Sequence, residues 1–182
     1  MSNKKSKTLL LKICISGMFA ALICVATMMI RIPMPVCGYV NFGDCFILVA
    51  AWILGPVYGF AAGGIGSALA DLFAGYAQYI PGTFVIKGLI AVAAALIVHA
   101  FLHKSDKLRL PGYVAGGIAG ELIMVGGYYL YESTALGYGF AAAFGSVAGN
   151  AVQGAFGVAI GVVLAQVIAK TKALKRFSVY SM

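Results

Sequence analysis

The chain has 182 residues, 62% of them hydrophobic and 10% charged, with 24 glycines and a formal net charge of +8. That apolar fraction stands well above the ~45–50% of soluble domains, which excludes a water-soluble globular enzyme or binding module. The positive charge is concentrated at the ends of apolar runs, so it is a topology signal and not a nucleic-acid footprint.

Six membrane crossings are expected, at residues 9–30, 40–54, 56–74, 83–102, 112–131 and 142–169, forming one all-α membrane domain over residues 1–182. The first run follows lysines but is too long for a signal-peptide core, and no A-x-A-like cleavage site follows it. The second and third are short and meet at Gly55-Pro56, a pair that ends one helix and starts the next. Lys4, Lys5, Lys7 and Lys12 mark the start of the first run; Lys104, Lys107 and Arg109 separate the fourth from the fifth; Lys170, Lys172, Lys175 and Arg176 follow the sixth. With six crossings all of these fall on one side, which makes both termini cytoplasmic. A basic surface there also suits anionic lipid headgroups.

Cys14, Cys24, Cys37 and Cys45 lack C-x-x-C spacing and behave as small hydrophobes. His99 and His103 share a helix face without the glutamate of a zincin helix, so no metal or other cofactor is expected. The run GGIGSALADL lies inside a crossing and lacks the G-K-[ST] of a nucleotide loop.

The polar residues inside the crossings carry the functional signal. Asp44, Asp71 and Lys87 lie near the outer ends of the second, third and fourth crossings, Glu121 near the middle of the fifth, and Asn150 and Gln153 in the outer half of the sixth. A charge at a helix centre costs roughly 2.5–3.5 kcal/mol, so these groups are expected to face inward and converge. Asp71 and Lys87 are expected to pair, with the segment Gly75–Gly82 folding over them. Three carboxyls against Lys87 leave excess negative charge: either one of them, Glu121 as the deepest, carries a proton, or a ligand supplies donors or positive charge. Tyr76, Tyr79 and Tyr128 beside such a cluster suit stacking on an aromatic ligand, although each alone, like Tyr129, also fits an interfacial aromatic belt. Small residues form ridges at Gly17 and Ala21, at Ser16, Ala20 and Cys24, at Gly59, Gly63 and Ser67, and at Gly154, Gly157 and Gly161.

The motifs N-F-G-D (from Asn41), L-G-P-V-Y-G, G-G-I-G-S-A-L-A-D and I-K-G, in this order, resemble the substrate-binding S components of energy-coupling factor (ECF) vitamin transporters. They are most similar to a subgroup linked with pyridoxine or hydroxymethylpyrimidine, with cobalamin and riboflavin as alternative vitamins. The resemblance implies a multi-pass protein of the bacterial plasma membrane that is not itself an enzyme. It implies a transmembrane coupling subunit and two ATPase subunits as partners, and an outward-facing vitamin site capped by the loops Ile32–Tyr39, Gly75–Gly82 and Glu132–Phe140. The candidate contacts are Asn41, Asp44, Asp71, Tyr76, Tyr79, Lys87, Glu121, Tyr128, Asn150 and Gln153. The family's small-xxx-small docking motif falls on Gly17 and Ala21. A proton-coupled exporter using Glu121 is the competing class; an intramembrane enzyme is disfavoured because no catalytic motif is present.

Overall fold

The computed structural model describes residues 2–34 and 38–170, with the side chains of residues 2–5 and 106 outside that description. Cys37 and the C-terminal Lys172, Lys175 and Arg176 therefore lie outside the described residues, as does the centre of the first loop. Among the described residues five helices are long and apolar enough to cross a membrane. They are α1 (Ser2–Met29), α2 (Asp44–Ala74), α3 (Ile80–Leu102), α4 (Arg109–Leu130) and α5 (Phe140–Lys170).

The helix α1 buries one stripe and exposes another. Ser16, Ala20, Ile23, Cys24 and Thr27 are buried, whereas Gly17, Met18, Ala21, Leu22 and Val25 are exposed. The buried stripe touches backbone: a Cβ on Gly66 of α2 would stand 2.5 Å from the carbonyl oxygen of Ala20. Glycine is what allows these two helices to approach so closely.

After α1 the chain forms an antiparallel hairpin, β1 (Arg31–Pro33) with β2 (Tyr39–Asn41), in which Ile32 faces Val40 across the ladder. The second crossing was expected to begin at Val40, but the helix starts only at Asp44. The delay has a local cause: the Asn41 side chain accepts the Gly43 N–H at 2.9 Å, a turn typical of asparagine that holds residues 41–43 out of the helix.

The helix α2 contains a break. At Gly55 the backbone has φ 80° and ψ −177°, outside the helical region and accessible essentially only to glycine, and Pro56 follows. In a straight helix, Ile47 and Gly63 would be about 24 Å apart. Instead a Cβ at Gly63 would lie 3.1 Å from Ile47 Cγ2, and one at Gly59 2.9 Å from Ala51 Cα. The two halves therefore lie side by side, folded back at Gly55. Residues 44–54 are all buried except Phe46, as expected of a helix that is apolar on every side and sits at the centre of a bundle.

Gly75, with φ 81°, closes α2, and a 3-10 turn at Ala77–Tyr79 leads into α3. That helix starts three residues before the expected Thr83, because Pro81 occupies its first turn, where a missing N–H is tolerated. At the same end of the bundle α4 runs beyond Leu130 into a π-helical turn, Tyr131–Ala135, marked by the Leu136 N–H bonding the Tyr131 carbonyl at 3.0 Å. Half of the expected loop Glu132–Phe140 is thus helical.

Candidate functional site

Asp44, in the first turn of α2, and Lys87, two turns into α3, form an ion pair with 2.5 Å between Asp44 Oδ1 and Lys87 Nζ. Both are nearly inaccessible, at 1% and 2% exposure. This corrects the expected Asp71–Lys87 pair. Asp44 and Lys87, both expected near the outer ends of their crossings, meet there, and Asp44, not Asp71, is the carboxylate within reach of the ammonium. The other oxygen of Asp44 accepts from Gln153 Nε2 of α5 at 2.5 Å, and Gln153 Oε1 accepts the Asn41 backbone N–H at 2.6 Å. The ammonium also faces Met124 Sδ at 3.1 Å and lies 5.6 Å from the centre of the Tyr128 ring. One chain of contacts thus joins the hairpin, α2, α3, α4 and α5.

Asp71, near the end of α2, has a different partner. Its Oδ1 accepts the Tyr39 hydroxyl from β2 at 2.5 Å, while its Oδ2 has no hydrogen-bond partner. Thr83, whose hydroxyl lies 3.0 Å from that of Tyr128 with either able to donate, also stands within hydrogen-bonding reach of the Asp71 carboxylate. Burial, and then the neighbouring Asp71 carboxylate, push the Tyr39 phenol well above its usual range, so it remains a donor throughout physiological pH. Tyr39→Phe keeps the edge-to-face contact with the Tyr76 ring, 5.0 Å between centres, and removes only this bond. We expect ligand affinity to fall about tenfold, seen as faster release in stopped-flow fluorescence. Unchanged release would mean that strand pairing alone holds the hairpin over the site.

Glu132, which the sequence places only within an expected loop, lies in the π-helical turn. It is 1% exposed and accepts from Tyr79 at 3.1 Å and from Ser146 of α5 at 2.5 Å. Gly38 of the hairpin loop packs against the same carboxylate: a Cβ there would stand 3.5 Å from Glu132 Oε1. The extra residue in a π-turn re-aims the side chains that follow, and such turns concentrate at functional sites.

These groups surround a narrow, open-mouthed cavity; about 400 Å3 of empty space, open solvent included, lies in and before it. Of the expected contacts, Asn41, Asp71, Tyr79, Lys87, Tyr128, Asn150 and Gln153 line it. Three do not. Asp44 stands behind Lys87 and Gln153. Tyr76 is half-buried, stacked edge-on against Tyr39 and Tyr79. Glu121 is buried behind the wall, both of its oxygens without a hydrogen-bond partner and pressed against Gly154 and Gly157. Glu121, the proton carrier of the competing exporter reading, does not line this cavity. Thr27, Met34, Gly38, Tyr39, Ser67, Thr83 and Glu132 complete the lining and were not expected. For two of them a signal existed: Ser67 and Thr83 each stand one helical turn before a charged wall residue, Asp71 and Lys87.

A family model for the ECF-type riboflavin transporter, S component, matches residues 7–170. The chain belongs to that family. An uncharacterized protein in gap 3'region from Pyrococcus woesei is 37% identical over 147 residues, spanning 80% of this chain and 93% of that one. The fold of this S component also matches a solved structure described as the S component of a bacterial ECF transporter, with a TM-score of 0.63 at 20% identity, over 93% of this chain and 98% of the other. The protein is accordingly a multi-pass membrane protein and a transporter's substrate-binding subunit, not an enzyme.

Proposed function

We propose that this S component captures riboflavin in the cavity between the hairpin and the outer halves of α2 to α5, for import by a complete ECF complex. The observation that carries the reading is the wall itself: Tyr39, Tyr79 and Tyr128 border a space that also presents Asn41, Asn150, Ser67 and Asp71. Tyrosine rings suit the flat face of a flavin, and the polar groups suit its heteroatom edge and ribityl hydroxyls. The family match names riboflavin and lends no support to the pyridoxine or hydroxymethylpyrimidine subgroup that the motifs resemble, so riboflavin takes the leading place.

The fold-back at Gly55 favours six crossings, with residues 44–54 and 56–74 as a short second and third, and both termini cytoplasmic. In that arrangement the hairpin, Gly75–Tyr79 and the π-turn all lie at the outer surface, where a scavenged vitamin arrives. Import then requires the family's coupling subunit and two ATPase subunits, since no nucleotide-binding motif is present in this sequence. Gly17 and Ala21 form the proposed docking ridge. Both are exposed, and a Cβ on Gly17 would meet nothing within 4 Å, so among the described residues the ridge is unoccupied. Titrating riboflavin with purified protein and following its fluorescence tests the assignment, because a nearby tyrosine quenches an excited flavin by electron transfer.

A further inference from the structure

Most polar groups of the cavity wall are already occupied. Lys87 is held by Asp44, Gln153 by Asp44 and Asn41, and Glu132 by Tyr79 and Ser146. Two atoms differ. Ser67 and Asp71 both line the cavity and are buried, and neither Ser67 Oγ nor Asp71 Oδ2 makes a hydrogen bond. They stand four residues apart on α2, so they lie one turn apart on the same face. A buried polar atom left unpaired costs about 1–3 kcal/mol, and native proteins hold few of them. Two on one helix face, opening on one cavity, are accounted for if a ligand completes both.

We infer that Ser67 and Asp71 form the specificity-determining edge of the cavity, built for a planar ring that carries an N–H beside a carbonyl. The inference rests on the cavity being the substrate site. Its chemistry follows from the donor and acceptor inventory. Tyr39 holds Oδ1 of Asp71, which leaves Oδ2, with Thr83 as its nearest protein donor and no hydrogen bond made, as an acceptor for a ligand donor. The Ser67 hydroxyl, one turn away, donates to the adjacent carbonyl. The flavin ring has this edge at its N3–H, flanked by carbonyls; a pyridinol ring has no ring N–H beside a carbonyl. Sites built to hydrogen-bond a polar group discriminate far more strongly against its loss than apolar pockets do against a missing methylene.

The test compares riboflavin with its N3-methyl analogue, which keeps the ring and the ribityl chain and removes the donor. Fluorescence titrations use wild type, Ser67→Ala, Asp71→Ala and Asp71→Asn, each first shown to be folded by its melting transition. Asn in place of Asp71 still accepts from Tyr39 but presents an amide donor where Oδ2 stood. We expect the wild type to bind the methyl analogue roughly 30-fold or more weakly than riboflavin, and that preference to shrink to within about threefold in Asp71→Asn and Asp71→Ala. Ser67→Ala should weaken both flavins alike. Equal affinity of the wild type for the two flavins, or a preference that persists in both Asp71 variants, would overturn the edge while leaving riboflavin as the substrate. Absence of flavin binding by folded wild type would overturn the riboflavin assignment and the edge with it.

Discussion

Lys87→Met is expected to abolish riboflavin binding and to destabilise the empty protein by about 3–5 kcal/mol, the usual cost of breaking one side of a buried ion pair. The substitution preserves the length and apolar stem of the side chain, so little packing is lost. What remains is Asp44, 1% exposed, with Gln153 as its one hydrogen-bond donor at 2.5 Å. An uncompensated carboxylate at that position disturbs every element it touches, including the hairpin held through Gln153 and the Asn41 backbone. Adding Asp44→Asn to Lys87→Met should restore most of the stability, because a neutral amide can still accept from Gln153, yet binding should stay weak while the wall is altered. Thermal unfolding in detergent, read alongside flavin titration, separates the two effects. A single Lys87→Met variant as stable as wild type would show that the pair contributes nothing to the fold.

Ala21→Trp is expected to leave flavin affinity within about twofold of wild type and to eliminate riboflavin uptake by cells that co-express the coupling and ATPase subunits. The contrast follows from the two ridges of α1. Adjacent positions on a helix are about 100° apart, so Ser16, Ala20 and Cys24 can face inward while Gly17 and Ala21 face outward. The inward ridge packs on Gly66, whereas a Cβ on Gly17 of the outward one would meet nothing within 4 Å among the described residues. An indole at Ala21 therefore meets no internal neighbour, but it blocks the close backbone approach that small residues permit between membrane helices. Normal uptake would remove this ridge from the docking surface; loss of flavin binding would show that the ridge serves the fold instead.

The inward placement of Asp44, Asp71 and Lys87 was legible in the sequence because the bilayer penalises charge, and that rule does not depend on detailed geometry. Which of them pair was not legible. All three are expected near the outer ends of their crossings, so depth alone does not choose between Asp44 and Asp71 as the partner of Lys87. The partner of Asp71 is Tyr39, thirty-two residues away in a β-strand, a contact that no helical period encodes. Glu132 was hidden for a related reason: it follows the last apolar turn of α4, where a loop is the natural expectation, and only the π-turn carries it inward. The Gly55-Pro56 break, by contrast, was readable from residue chemistry alone, since a positive φ followed by a fixed one suits few other pairs.

The most direct measurement of the central claim is the affinity of the purified S component for riboflavin, taken by fluorescence quenching and confirmed by calorimetry, against pyridoxine, hydroxymethylpyrimidine and cobalamin under the same conditions. Tight, stoichiometric quenching of riboflavin, with the other vitamins at least about a thousandfold weaker, is the result the cavity and the family predict. Tight binding of one of those vitamins by folded protein, with riboflavin left fully fluorescent, would contradict it.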